Sequence, residues 1–197
     1  MMSGRRAKVE ESERWERDLD SVWGKASKEG KLVLLDFFNP ECGDCRRMDA
    51  VTYPTDQVKE WLNRTLVPVR VSHEHEPLAE EFRVVRTPCL VLLDRPGREV
   101  HRSEGFLSPG DFLAFVQLGL AKLKYERAEL ESAMDLLQGL FKNHPESPSL
   151  AEAVVVRGRC RYRYTHDPRH LREAHEQLRS DFPGSGWVRR TLQYRLL

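Results

Sequence analysis

The stretch Phe37-Phe38-Asn39-Pro40-Glu41-Cys42-Gly43-Asp44-Cys45-Arg46-Arg47-Met48 places two cysteines, separated by two residues, between an apolar run and a helical-looking one. Such a pair can be a redox couple, half of a metal site, or two small buried residues. Its surroundings discriminate. Upstream, Leu32 to Phe38 is almost wholly apolar, and that continuity marks a strand covered on both faces and central in its sheet. One acid, Asp36, interrupts it. Downstream, Gly43 to about Tyr53 reads as a helix, so Cys42 stands at a helix N-terminus, where unpaired N–H groups and the positive dipole end favour thiolate over thiol. Cys45 returns to the same side of the first turn, within reach of a mixed disulfide on Cys42. The pair then works as nucleophile and resolver. An acid inside an apolar strand costs energy unless it is used, and a disulfide-exchange scheme uses Asp36 as a relay for the Cys45 proton. The alternative is a core acid paired with Arg70 or Lys31. A closed zinc site needs four protein ligands, and His73-Glu74-His75 offers an unusual spacing for a second pair, so no metal is assigned.

The rest of the chain falls into two halves. Trp15, Leu19, Val22, Trp23 and Ala26 recur at helical spacing, and Gly30 supplies a stop. After the cysteine helix come a short helix at Asp56 to Asn63 and a strand at Leu66 to Ser72, in which Val67, Val69 and Val71 alternate. Strand, helix and strand in that order predict a parallel pair. A helical turn from Pro77 to Phe82, strands at Cys89–Leu93 and Glu99–Ser103, and the turn residues between them complete the half with a hairpin. From Pro109 onward only helical patterns remain. Two breaks, around Pro145 and Pro183, share a Pro-x-Ser core 38 positions apart, a period proper to helical-hairpin repeats.

Composition narrows the setting. The chain has 197 residues, and its 32 Lys and Arg nearly balance 31 Asp and Glu, so net charge gives no reason to expect a nucleic-acid or membrane partner. The N-terminus is charged throughout, without the apolar core of a signal peptide, and no apolar run approaches the ~18 residues of a spanning helix. A soluble, cytoplasmic protein is expected, in which thiols stay reduced and Cys42, Cys45, Cys89 and Cys160 are poor material for a structural framework. Arg157 to Tyr164 alternates arginine with tyrosine, an arrangement that invites an RNA-binding reading. On a helix the alternation scatters the charges around the cylinder, so a solvated face is expected instead.

The residues resemble the thioredoxin family over Trp15 to about Phe115. The resemblance lies in the strand Leu-Val-Leu-Leu-Asp-Phe-Phe with its buried acid, then Cys-Gly-Asp-Cys opening a helix, then Arg86-Thr87-Pro88 before the third strand. It implies a thioredoxin-like α/β fold, a central mixed sheet flanked by helices, over residues 1–117 with an extra N-terminal helix. It also implies a cis Pro88 facing the cysteines, with Thr87, Pro88 and Glu41 in the substrate-contact surface. Three positions depart from the pattern: Glu41 stands where tryptophan is usual, Asp44 replaces proline, and Cys89 stands where threonine is common. The first removes an aromatic contact surface. The two acids oppose a Cys42 thiolate while Arg46 and Arg47 favour it. Cys89 and Cys160 read as small buried residues, with a bond from Cys89 to Cys42 as the alternative. Residues 118–197 resemble tetratricopeptide repeats, through Ala128, Leu130, Ala133, Leu137 and Pro145, then Gly158, Tyr162, Leu171, Ala174 and Pro183, which implies an all-α module that binds a protein partner.

The combined reading is a thiol–disulfide oxidoreductase that reduces protein disulfides with Cys42, Cys45 and Asp36, requires no bound cofactor, and draws electrons from a dithiol donor. Its couple is expected to be reducing, nearer ~ −270 mV than ~ −120 mV. The alternative from another class is a non-catalytic adaptor, or a redox sensor, that binds a protein partner.

Overall fold

The computed structural model describes residues 15–16, 19–74 and 76–197. The charged N-terminal stretch and His75 lie outside them. The chain divides into two compact units, the first ending at Phe112 and the second covering Leu113–Leu197, a turn or so earlier than the boundary expected at 117/118.

The first unit is built on β1 (Leu32–Phe38), which is buried along nearly its whole length. It pairs in parallel with β2 (Leu66–Ser72), in register Leu32↔Leu66 through Phe38↔Ser72. On its other side it runs antiparallel to β3 (Cys89–Arg95), which forms a hairpin with β4 (Arg98–Glu104). The four-stranded mixed sheet has the order β2-β1-β3-β4, and the apolar strand is central as its pattern predicts. β2 lies at the edge, where Pro68 costs no ladder bond. That edge is extended at one point: Glu16 N–H donates to Pro68 O (2.9 Å) and Arg70 N–H to Glu16 O (3.3 Å). Trp15 and Glu16 therefore lie against the sheet edge, and the first helix, α1 (Leu19–Glu29), begins later than the Trp15 periodicity suggests. Its end is set by Gly30, at φ +65°, with Lys31 N–H closing on Ala26 O (3.0 Å).

Strand alternation sorts the side chains. Val33, Leu35, Phe37, Val67, Val69, Val71, Cys89, Val91 and Leu93 form one face, covered by Val22 and Ala26 of α1 and by Phe82, which follows α4 (Glu76–Glu81). Asp36, between Leu35 and Phe37, faces the other way. That side carries α2 (Gly43–Arg47), a π-helical turn (Met48–Thr52) and α3 (Asp56–Thr65). A single helix was expected from Gly43 to Tyr53, and the π turn breaks it. Trp15, Trp23 and Trp61, expected in the core, are only half-buried.

The boundary between the units falls inside α5 (Pro109–Glu126). The second unit continues with α6 (Leu130–Asn143), α7 (Leu150–Thr165), α8 (Arg169–Asp181), the short α9 (Gly186–Arg190) and a 3-10 turn (Leu192–Leu196). Ala114, Leu118 and Ala121 of α5 pack with Ala133, Leu137 and Leu140 of α6 and with Leu150, Ala153, Val156 and Cys160 of α7. A second cluster joins Val154 and Val155 of α7 to Leu171, Ala174 and Leu178 of α8 and to Tyr194. The arginines of α7 diverge: Arg157 donates to Gln177 (2.6 Å), Arg159 to Tyr194 Oη (3.0 Å), Arg161 to Glu173 (3.0 Å) and Arg163 to Tyr125 O (2.7 Å). They make no common stripe.

The two helices of the α7–α8 hairpin touch where Gly158 meets Ala174. A Cβ on Gly158 would fall 2.6 Å from Ala174 Cβ and 3.1 Å from His170 O. Helix propensity alone would make Gly158→Ala stabilising by up to ~1 kcal/mol, but the overlap forces the helices apart, at about 1–3 kcal/mol. Net destabilisation in chemical denaturation is expected, with recovery when Ala174→Gly is added. Additive single effects in the double-mutant cycle would show that the contact is not limiting.

Candidate active site

The site begins where the chain leaves β1. Asn39 Oδ1 accepts Glu41 N–H (2.8 Å) and Asn39 O accepts Cys42 N–H (3.0 Å). This turn delivers Cys42, in an extended conformation, as the N-cap of α2. Its Sγ accepts Cys45 N–H at 3.1 Å, so the sulfur does the work usually done by a capping oxygen. On its other side it donates to Thr87 O at 3.3 Å. The Thr87–Pro88 peptide bond is cis. Thr87 is half-buried, Pro88 buried and Glu41 exposed.

The two thiols differ sharply. Burial opposes ionisation of Cys42, but hydrogen bonds with the side chains of Cys45 and Thr87 and with the backbone N–H groups of Cys45 and Asp44 outweigh it and lower its pKa. Cys45 is only 2% exposed, and burial together with the hydrogen bond to Cys42 pushes it up to about 11. The contest between acids and arginines that the sequence suggests is settled by direct hydrogen bonds instead. Arg46 donates to Pro40 O (3.3 Å). Arg47 lies over the Phe106 ring, 3.8 Å from its centroid, and pairs with Asp44 (3.4 Å).

Asp36 is 1% exposed. Its Oδ2 accepts the Tyr53 hydroxyl at 3.0 Å and lies 3.3 Å from Arg70 Nε, a charge contact outside hydrogen-bond geometry. Its Oδ1 is buried without a partner. Lys31, the other partner considered, is engaged by Glu29 instead. Arg70 sits directly across from Asp36 in the parallel register and is held by Asp49 (2.8 Å). Desolvation raises Asp36 to about 6, against the opposing pull of Arg70 and Tyr53. Neither carboxyl oxygen hydrogen-bonds a cysteine. Tyr53, Arg70 and Asp49 thus join the expected set around Asp36. Of these, Asp49 carried no individual signal in the sequence and nothing there linked Tyr53 to Asp36, because the π turn and the strand register that bring them there are tertiary facts.

Cys89 adjoins Pro88 in the chain but belongs to the opposite face of the sheet, opposite Phe37. A bond to Cys42 is therefore ruled out by strand alternation. Cys160 lies in the second unit's core. No group of three or more His, Cys, Asp or Glu side chains able to hold a metal ion occurs among the described residues.

The raised Asp36 pKa has a consequence for stability. From its ordinary value of 3.8 up to about 6 the folded state holds a proton that the unfolded state has released, so stability falls as pH rises through that window. Above it, the buried charge costs about 3 kcal/mol. Asp36→Asn is therefore expected to stabilise the protein at pH 7–8 and to leave it nearly unchanged at pH 4. Denaturant unfolding at both pH values checks this; an equal effect at both would mean that ionisation of Asp36 is not the cause.

A sequence profile of the thioredoxin-like domain matches residues 19–119. The thiol:disulfide interchange protein DsbD of Yersinia enterocolitica is 31% identical over 98 residues, which are 47% of this chain and 17% of that protein. The chain therefore matches less than a fifth of that relative's length. The thioredoxin-like protein slr0233 of Synechocystis is 29% identical over 89 residues, 45% of this chain and 81% of that one. Among solved structures, a thioredoxin from Thermus thermophilus shares 27% identity at a TM-score of 0.45, covering 51% of this chain and 81% of its own. The profile match takes in the whole sheet, the cysteine pair and Thr87–Pro88, and the chain belongs to the thioredoxin-like domain family.

Proposed function

We propose that the protein is a thiol–disulfide oxidoreductase that reduces disulfides in protein substrates. The observation that carries the reading is the asymmetry of the pair: Cys42 Sγ, partly exposed at a helix start, accepts the N–H of a buried Cys45 (3.1 Å) and lies beside Thr87 O (3.3 Å). The Cys42 thiolate attacks the substrate disulfide, forming a mixed disulfide and releasing one substrate thiolate. Cys45 then attacks Cys42 Sγ, giving up its proton to Asp36. The Cys42–Cys45 bond forms and the second substrate thiol leaves. A dithiol donor returns the pair to its reduced form, and a cytoplasmic setting would supply one. The Yersinia relative named as an interchange protein supports this chemistry.

The second part of the reading assigns partner binding to the helical unit, which resembles tetratricopeptide repeats in its close Gly158–Ala174 approach and its proline-bearing loops. A cleft of about 460 Å³, bordered by Leu130, Met134, Cys160 and Tyr164, supports it, as does the 69% exposure of Tyr164. The same cleft is what favours the adaptor alternative, in which this unit carries the whole function. Turnover separates the two.

Cys45, Cys89 and Cys160 are buried and pushed up to about 11, whereas Cys42 is lowered. Limiting alkylation of the reduced protein at neutral pH is therefore expected to label Cys42 alone; labelling of Cys45 would reverse the assignment of nucleophile and resolver. Cys45→Ser should accumulate mixed disulfides on Cys42 and lose turnover with a protein disulfide substrate. Unchanged turnover in Cys42→Ser, or none in the parent protein, would leave the adaptor.

A further inference from the structure

The π turn after α2 delivers one side chain that the disulfide-exchange scheme has not used. Tyr53 N–H bonds Met48 O (3.0 Å), five residues back instead of four. Relative to a continued α-helix, an added residue rotates the side chains beyond the turn by about 100°. The rotation sends the Tyr53 ring under β1, where it is 5% exposed. Trp15 meets it edge-on at 5.0 Å and Phe112 at 5.8 Å. Trp15 is itself pinned through the Glu16 bridge to β2. Arg70 is equally fixed, its guanidinium 4.4 Å from the Phe38 ring centroid and 5.6 Å from that of Trp15, and held by Asp49. The Tyr53 hydroxyl, by a hydrogen bond, and the Arg70 guanidinium, by charge, converge on one atom, Asp36 Oδ2.

We propose that Tyr53 is a positioning residue for Asp36: its hydroxyl, with Arg70, commits Oδ2 and leaves Oδ1 as the one carboxyl atom open to the Cys45 proton. This rests on the relay reading of Asp36. Oδ1 is buried and accepts no hydrogen bond, so it is the carboxyl atom left uncommitted. Burial and the neighbouring Asp36 charge push the Tyr53 phenol well above its ordinary range, so it stays a donor throughout and never competes for the proton. In the proton's path the Cys45 S–H bond breaks and an O–H bond forms at Oδ1, while the Cys45 sulfur makes its bond to Cys42 Sγ and the substrate thiolate departs. The charged groups facing Asp36 are Arg70, which stabilises the carboxylate, and Asp49, which opposes it. Tyr53→Phe leaves both in place, along with the ring.

Stopped-flow reaction of the reduced full chain with 5,5′-dithiobis(2-nitrobenzoate) separates the first thionitrobenzoate release, by Cys42, from the second, by Cys45. The second release in the parent is expected to show an acid limb near the Asp36 value of about 6. In Tyr53→Phe the limb should move up by about one pH unit, because a donor to the carboxylate has been lost, while the first release keeps its profile. A limb that stays at the parent position in Tyr53→Phe overturns the proposal, since a purely packing role predicts that result. Asp36→Asn should abolish the limb; if the limb persists there, the relay reading itself fails. A measurement on the parent protein does not depend on how the variants fold: with 13Cζ-labelled tyrosine, one resonance should shift with a midpoint near pH 6. Resonances that stay flat from pH 4 to 8 would overturn the assignment.

Discussion

A strand buried on both faces and carrying a carboxyl group organises the first unit. β1 must be covered by helices on each side because its side chains are apolar in both directions, and Asp36 is the exception that the coverage has to accommodate. The fold does so with Tyr53, aimed by a π turn, and with Arg70, set opposite by the parallel register and held in place by Asp49. These contacts lower the cost of the buried charge without cancelling it, since burial still wins and the group titrates near 6. A structural role alone would be served better by an apolar residue of similar size. Retaining an acid there is consistent with proton transfer.

The cysteines are separated in acidity by position, not by nearby charge. One turn of helix exposes Cys42 at the cap and turns Cys45 inward, and the same backbone N–H that the cap needs becomes a donor to the Cys42 sulfur. The arginines after the motif point away, to Pro40 O and to the Phe106 ring. Asp44, which would oppose a thiolate, is paired with Arg47. A short-range network of hydrogen bonds therefore sets the thiolate's stability, and such bonds are less sensitive to salt than exposed charges would be.

The second unit is held by small residues and aliphatic packing. Gly158 and Ala174 allow close helix approach, and the arginines of α7 are spent one by one on separate partners across the unit. Its basic character is thus structural in use, which is why alternation of arginine and tyrosine in the sequence does not become a basic surface stripe.

Periodicity and local chemistry in the sequence determined the strands, the parallel pair, the hairpin and the glycine stop at Gly30, because each depends on residues close together in the chain. Cys42 at a helix start was legible for the same reason. The extent of the first helix was not, since Trp15 satisfies the helical period while the backbone of the next residue, Glu16, pairs with the edge of β2. The π turn was also hidden: one hydrogen bond shifted from the fourth to the fifth residue leaves no compositional trace. Cys89 shows the difference most plainly, being next to Pro88 in sequence yet on the far face of the sheet, as alternation demands. What only the tertiary structure decided is which atoms meet Asp36, because Tyr53 and Arg70 reach it, and Asp49 holds Arg70 there, through strand register and helix winding, neither of which is written in neighbouring residues.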